Sequence, residues 1–253
     1  MEIPASDPKA GERTYYARLG EAGLAHARAK PFSDEECGRH LSNFGAVLQL
    51  IGKPPQRILD CGCGTGWTSL FLARAGHHVT GLDISAQAVA IAREMAADAQ
   101  LANVDFVAED YEAFSASDAF DVVLFYDALH HAEDESAALR VAYRALKKGG
   151  LLLAIEPGEG HGASEGAKHA VATYGVHEKD MPPKKAWAIG KQIGFRQKLF
   201  LPYPHEWSRA AFRKDFRGTS STMALLGERI WGFFRAATMI MRARRAGMLL
   251  MWK

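Results

Sequence analysis

Short apolar runs alternate with segments of helical periodicity through the middle of the chain. The runs lie at 57–59, 79–82, 103–107, 120–126 and 146–156. The fourth, FDVVLFY, is nearly continuous, which is typical of a strand buried on both faces of a sheet. Residues 67–75 have the pattern of a helix between the first two runs. This alternation predicts an α/β fold built from βαβ units.

The C-terminal part continues the alternation with two interruptions. A helix is predicted at 184–193, ended by Gly194, and further strands at 195–201 and 247–252. Residues 157–183 are polar and rich in glycine and histidine, which predicts a long loop at the sheet edge where ligands bind.

Residues 1–53 precede the first strand and are predicted to form a helical cap. Ser33 is followed three residues later by Glu36, the pattern of a helix start. One face of the predicted helix is apolar and carries Leu41, Phe44, Val47, Leu48 and Ile51, and Pro54-Pro55 ends it. Tyr15 and Tyr16 either contact a ligand at the mouth of the sheet or simply pack the cap on the sheet.

Residues 203–246 are predicted to be a helical insertion. An apolar stripe recurs at helical spacing and consists of Met223, Leu226, Ile230, Phe233, Ala237 and Ile240, with arginines around it. A basic amphipathic helix at 222–245 can lie on an anionic membrane, but docking on the domain or on a second subunit is the favoured interpretation. Trp207, Phe212 and Phe216 also make this segment a candidate lid.

Composition limits the class of protein. The 253 residues are 48% hydrophobic, enough for a sizeable core, and the net charge of +2 gives no reason to expect nucleic acid as a partner. Cys37, Cys61 and Cys63 form no disulfide framework and indicate a reducing compartment. Cys61 and Cys63 lack a second ligand pair, so no metal is expected. Since neither a signal peptide nor an apolar span is visible, the expected localisation is cytoplasmic.

A glycine-rich turn follows the first apolar run. Gly62, Gly64 and Gly66 allow a tight turn to which a ligand can come close, Asp60 precedes them, and Asp83 ends the next strand, where it can accept hydrogen bonds from ribose hydroxyls. An acid beside a pyrophosphate would repel it, whereas it attracts a sulfonium or ammonium group. The pattern therefore favours an adenosine-containing ligand with a cationic group over a dinucleotide with its pyrophosphate.

The segment LDCGCGTGW at 59–67, with Asp83 and later Asp110, resembles the class I S-adenosylmethionine-dependent methyltransferases. The resemblance implies a Rossmann-like, seven-stranded, mostly parallel sheet with an antiparallel last strand, formed by residues 54–253, and S-adenosyl-L-methionine as cofactor. The loop at 157–183 would then shape the acceptor pocket. The implied cofactor-binding residues are Asp60, Gly62, Cys63, Gly64, Gly66, Asp83, Ile84, Asp110, Tyr111 and Asp127.

The implied reaction is O-methylation of a small-molecule or sugar-containing acceptor, although an aromatic or lipid-like acceptor is equally open. A hydroxyl must lose its proton, and histidine suits that role. The candidate catalytic residues are His131 and His130, followed by Glu156 and His161. On a regular element, the two adjacent histidines cannot both face the pocket. N-methylation is the enzymatic alternative, and a non-catalytic S-adenosylmethionine-binding protein is the alternative of another class.

Overall fold

A computed structural model of the protein describes residues 7–211 and 222–253. Within them, seven strands form one sheet in the order β3-β2-β1-β4-β5-β7-β6. The strands are β1 Arg57–Cys61, β2 His78–Asp83, β3 Val104–Ala108, β4 Phe120–Tyr126, β5 Leu146–Ile155, β6 Gln197–Leu201 and β7 Met248–Trp252. Strand β7 runs antiparallel to both β5 and β6. The predicted Rossmann-like sheet with an antiparallel last strand is confirmed.

Helices cover both faces of the sheet. They are α4 Trp67–Arg74, α5 Ala86–Asp98, α6 Glu135–Ala145 and α8 Pro183–Ile193, with α3 Cys37–Leu50 packed beside α4. Residues Val122–Tyr126 of β4 are all buried, because each face of this central strand meets a separate apolar layer. The parallel strands therefore bring their carboxyl ends to one edge, where ligands of open α/β sheets bind.

The first strand is longer than predicted and includes Asp60. The Asp60 carboxylate accepts hydrogen bonds of 2.6 Å from the hydroxyls of Thr68 and Ser69 on α4. These bonds satisfy a buried acid, which allows the strand to continue to Cys61 instead of ending before it. Asp60 thereby ties the first strand to the first turns of the following helix.

The predicted N-terminal cap is helical, but its main helix begins later than predicted. Helices α1 Ala10–Arg18 and α2 Gly20–Arg28 precede α3. The Ser33 hydroxyl donates to the His26 carbonyl, and the Asp34 side chain accepts from the Glu36 backbone N–H. Because the Ser33 hydroxyl bonds to the preceding turn and not to α3, Ser33 is not the N-cap of that helix.

The segment at 157–183 is not the long loop that its composition predicts. It contains a one-turn 3-10 helix, His161–Ala163, and α7 Glu165–Tyr174. The Ser164 hydroxyl accepts from the Ala167 N–H and starts α7, and Gly175, with φ of 71°, ends it. These capping residues outweigh the high glycine content.

The insertion forms α9 Pro204–Ala211 and α10 Thr222–Arg242. The predicted packing face of α10 is open to solvent at Phe233 and Ile240, which are 71% and 59% exposed. The lid candidates Phe212 and Phe216, and the side chains of Met223, Leu226 and Ile230, lie outside the described part of the chain. Among residues 7–211 and 222–253, no helix combines the length and apolarity needed to cross a membrane.

Candidate functional site

The turn between β1 and α4 is held against the end of β2. The backbone N–H groups of Gly62 and Cys63 donate to the Leu82 carbonyl at 2.7 and 3.1 Å. Gly64 has φ of 54°, a left-handed conformation, and a Cβ atom there would collide with the Tyr16 hydroxyl. The turn therefore requires glycine both for its backbone and for the close approach of a side chain from α1.

Asp83 lies at the carboxyl end of β2 and is fixed by the same turn. Its two carboxylate oxygens accept from the backbone N–H groups of Gly64 at 2.8 Å and Ser85 at 2.9 Å. Burial raises the pKa of Asp83 to about 6, and the two N–H bonds oppose that effect. Each oxygen keeps further acceptor capacity, so the carboxylate can also receive two ligand hydroxyls.

Asp110 follows β3 and is already paired. Lys9 contacts Asp110 at 2.6 Å and Glu112 at 2.8 Å. Burial disfavours the Lys9 ammonium, but the two carboxylates outweigh that cost and raise its pKa. A ligand amine that reaches Asp110 must therefore share the carboxylate with Lys9.

A cavity of about 410 Å³ lies at the carboxyl edge of the strands, a volume typical of small-ligand sites. The predicted cofactor residues that line it are Gly62, Asp83, Ile84, Asp110, Tyr111 and Asp127. The predicted catalytic residues that line it are His130, His131 and His161, and Tyr15 and Tyr16 of α1 also line it. The two predicted groups thus share one cavity.

The other predicted cofactor residues lie behind the cavity wall. Asp60 is bonded to α4, as described above, and Cys63 is buried. Gly66 has φ of 86°, and a Cβ there would meet Ala92 and the Phe106 ring. Their contribution to ligand binding stays a prediction; the structure gives each of them a role in holding the turn in place.

Asp127 ends β4 in a strained conformation. Its φ of 49° is uncommon for a residue other than glycine, and its N–H donates to the Ile155 carbonyl at 2.8 Å. Burial and the neighbouring Glu156 raise its pKa. Strained backbone of this kind concentrates at functional sites. Here the conformation of Asp127 turns the chain from β4 toward His130 and His131.

Glu156 does not line the cavity; it holds His130 from behind. One of its carboxylate oxygens accepts from the N–H groups of Ala128 and Leu129, and the other accepts from the Nδ1 of His130 at 2.7 Å. Burial raises the pKa of Glu156 to about 7 and lowers that of His130 to about 3. His130 is therefore a neutral imidazole whose Nδ1–H is fixed and whose Nε2 keeps its lone pair.

His131 is held by groups from outside the sheet. Its Nδ1 donates to the His177 carbonyl at 2.6 Å and lies 3.6 Å from the Glu12 carboxylate of α1. Burial alone would lower the pKa of His131, but the contact with Glu12 and the charges of Glu178 and Glu156 raise it to about 9.

Both adjacent histidines face the cavity, contrary to expectation. They lie in a one-turn 3-10 helix, Leu129–His131, and their ring centroids are 4.0 Å apart. The expectation assumed a regular element; the tight turn after the strained Asp127 removes that restriction. His161 completes the group, since its Nε2 lies 2.6 Å from the Glu178 carboxylate.

Two carboxylates of this site were not predicted. Glu12 accepts from the His177 backbone N–H at 2.7 Å, and Glu178 also lies 3.5 Å from the Nε2 of His130. Glu12 stands beside the tyrosines of α1 and Glu178 within VHEKD, next to a histidine. These neighbours were the only sequence signals for the two carboxylates. Their contacts with His177 and His130 depend on how the cap folds over the sheet.

Known proteins are similar to the part of the chain that carries the glycine turn and β1 to β4. A family model described as a methyltransferase domain matches residues 58–150. A ubiquinone biosynthesis O-methyltransferase of Methylobacterium nodulans is 38% identical over 117 residues, which cover 43% of this chain and 47% of that protein. The matched segment thus spans less than half of the length of this relative.

Solved structures share the fold. A phosphoethanolamine N-methyltransferase 2 of Haemonchus contortus, in complex with S-adenosyl-L-methionine, is 23% identical and has a TM-score of 0.57 over 83% of this chain and 51% of that one. The [4+2]-cyclase SpnF is 19% identical and has a TM-score of 0.58 over 100% and 98% of the two chains. Because an N-methyltransferase and a cyclase share this fold, the fold alone does not establish the reaction.

Gly62 of the glycine turn lines the cavity, Asp83 can accept two hydroxyls at the end of β2, and His130 and His131 line the same cavity. These features fit an adenosyl cofactor, and the matched family model covers the same segment, residues 58–150. Residues 58–150 therefore match the methyltransferase domain family, within a fold that S-adenosylmethionine-dependent methyltransferases share.

Proposed function

We propose that the protein transfers a methyl group from S-adenosyl-L-methionine to a hydroxyl of a small-molecule acceptor. One observation carries the proposal. A single cavity is lined by Gly62, Asp83 and Asp110 together with His130 and His131. Cofactor and acceptor can therefore meet in one enclosed space, where proximity and orientation lower the barrier.

The cofactor end follows from the hydrogen-bonding groups on that wall. Asp83 would accept from the ribose hydroxyls, and Asp110 from the adenine amine once Lys9 rests on Glu112 alone. Gly62 lines the same cavity, and a side chain there would collide with the Cβ of Ala128. The cofactor supplies a methyl group that is already activated by a positive sulfur.

The acceptor end favours oxygen chemistry. The histidines and Glu178 can orient and deprotonate a hydroxyl, whereas an amine can arrive neutral and needs no such group. Of the predicted bases, His130 is positioned by Glu156 and keeps a lone pair on its Nε2, which lies 3.5 Å from the Glu178 carboxylate. His131, with a pKa of about 9, carries a proton at neutral pH. The matched relative named an O-methyltransferase supports the same choice.

The acceptor class is a polar hydroxyl compound. The wall around the histidines also carries Glu12, Glu178 and Tyr15, so it offers hydrogen bonds to a ligand with several polar groups. A sugar-containing or polyhydroxylated acceptor fits this surface better than a purely apolar one. N-methylation is the alternative.

The test is methyl transfer by the purified protein. Methyl-labelled cofactor is supplied with a catechol-type phenol, a sugar and a primary amine, and S-adenosylhomocysteine is measured beside labelled product. We expect label on a hydroxyl compound and none with Asp83→Ala. Label on the amine alone would replace O-methylation by N-methylation. Tight cofactor binding with no S-adenosylhomocysteine from fractionated cell extracts would favour a non-catalytic binding protein.

A further inference from the structure

We propose that His130, His131 and Glu178 bind a divalent cation such as Zn²⁺ on the acceptor side of the cavity, where it binds the acceptor oxygen. The inference rests on the proposed function, because it names how that site holds its substrate. It departs from the sequence-based expectation that no metal is bound. That expectation considered only Cys61 and Cys63, which are buried and do not line the cavity.

The three side chains are close enough to share one ion. One ligand atom from each of them lies within 4.8 Å of the other two. Nitrogen and oxygen ligands bind zinc at about 2.0–2.2 Å, so the ligand atoms of a tetrahedral site are about 3.4 Å apart. The Nε2 of His130 and the Glu178 carboxylate, at 3.5 Å, already have that spacing.

The hydrogen-bond partners of the two histidines are those that orient metal-binding histidines. A histidine that binds a metal through one nitrogen usually donates its other N–H to a carboxylate or a backbone carbonyl. Here the Nδ1 of His130 donates to Glu156 at 2.7 Å, and the Nδ1 of His131 donates to the His177 carbonyl at 2.6 Å. Both imidazoles are therefore oriented with Nε2 as the remaining ligand atom.

The carboxylate of Glu178 is also held in place by a neighbouring side chain. His161 contacts its carboxylate at 2.6 Å and fixes the oxygen that also faces His130. Two histidines and one glutamate are a known ligand set of catalytic zinc, which keeps one position open. All three residues line the cavity, so the open position faces the space for the acceptor.

A cation at this position would replace histidine as the group that activates the hydroxyl. The acceptor binds through its oxygen, which lowers the hydroxyl pKa, and the proton leaves to water. The oxygen then forms a bond to the methyl carbon of S-adenosylmethionine while the carbon–sulfur bond breaks and its electron pair stays on sulfur. The products are a methyl ether and S-adenosylhomocysteine.

Metal binding can be measured without any turnover. The full chain is freed of metal by dialysis against a chelator and titrated with Zn²⁺ by calorimetry, and with Co²⁺ by its visible absorption. We expect one ion per chain. Glu178→Gln and His131→Ala should weaken Zn²⁺ binding by about 100-fold or more, since losing an outer-shell partner alone costs about 10–100-fold.

The matched control is His169→Ala, which removes an exposed histidine of α7. It should bind Zn²⁺ as the unchanged chain does. Circular dichroism and S-adenosylhomocysteine affinity verify that each variant is folded. Equal Zn²⁺ affinity in Glu178→Gln, His131→Ala and the unchanged chain would overturn the site. The site would also be overturned if the unchanged chain bound Zn²⁺ no more tightly than exposed surface histidines do.

The two proposals fail separately. Label transfer that is undiminished in metal-free protein would remove the cation from the reaction and leave the proposed function intact. One tightly bound ion that depends on Glu178, with no transfer to any hydroxyl, would retain the metal site and remove O-methylation.

Discussion

The Asp83 carboxylate accepts from the Gly64 N–H of the glycine turn, and its contact with the cofactor ribose is a prediction. We expect Asp83→Ala to lose most cofactor affinity, because two charge-assisted hydrogen bonds to ribose are worth roughly 1.5–3 kcal/mol each. Calorimetry with S-adenosylhomocysteine measures the change, and Asp105→Ala, at an exposed aspartate on β3, is the matched control. Unchanged affinity in Asp83→Ala would remove the ribose assignment.

The titration of Asp83 gives a second prediction. Its folded-state pKa of about 6, raised by burial, lies above the ordinary value of 3.8. The folded chain therefore holds this proton in the window from about 4 to 6, so the contribution of Asp83 to the free energy of unfolding falls as pH rises through it. Ligand binding favours the ionised form, so cofactor affinity should fall as pH drops from 7 to 5. Asp83→Asn should flatten that dependence, and an equally steep fall in this variant would assign it to another group.

Gly64 tests the turn itself. A Cβ there meets the Tyr16 hydroxyl, and the left-handed backbone costs a β-branched residue roughly 1–3 kcal/mol. Gly64→Val should lose cofactor binding and remain folded, as measured by calorimetry and circular dichroism. Gly149→Val is the control, because Gly149 also has a positive φ but has open space around its Cβ position. Normal binding in Gly64→Val would exclude this turn as the cofactor cradle.

Single residues were predictable where their roles are local. Gly62 and Asp83 follow from spacing along one βαβ unit. Glu12 meets His177 across 165 positions of sequence, and no short-range pattern encodes that pairing. Asp60 was predicted to follow the first strand, but it lies within β1, and its bonds to Thr68 and Ser69 depend on the position of α4.

At the scale of elements, α1 covers the cavity through contacts with α7. The Arg18 guanidinium donates to the backbone carbonyls of Thr173 and Tyr174, and Tyr15 packs edge-on against the Tyr174 ring. Helix α7 was missed because glycine and histidine dominate its surroundings, although Ser164 and Gly175 mark its two ends. The cap was predicted as helical, but which surface it covers depends on α7.

Loosening α1 should make the ligand leave faster. Arg18→Ala removes two hydrogen bonds worth about 0.5–1.5 kcal/mol each, so amide exchange in residues 10–28 should rise by about 5- to 150-fold, with faster cofactor release in stopped flow. Arg74→Ala, at an exposed arginine of α4, is the control. Identical amide exchange in the Arg18 and Arg74 variants would show that the bonds of Arg18 do not hold α1 over the cavity.

Across the whole molecule, the strands of the sheet were predictable because each buried strand is a short apolar run, and parallel strands deliver their carboxyl ends to one edge. The sheet matches the expectation in its number of strands and in the antiparallel direction of the last one. The position of α10 was not predictable in the same way, because an amphipathic stripe shows that a face is apolar and leaves open what covers it. Exposed Phe233 and Ile240 illustrate that difference, and contact of 222–245 with a membrane or a second subunit stays a prediction.

Ligand binding should stabilise the molecule as a whole. A ligand that binds only the folded state at 100 times its Kd adds about 2.7 kcal/mol to the free energy of unfolding. At roughly 2–4 °C per kcal/mol for a chain of this size, the Tm should rise by about 5–11 °C with S-adenosylhomocysteine. NAD⁺ at the same concentration should give little shift, because the acidic groups around the turn do not favour a pyrophosphate. Thermal unfolding of the unchanged chain and of Asp83→Ala measures both effects, and an equal rise with NAD⁺ would favour a dinucleotide site over the adenosyl cofactor.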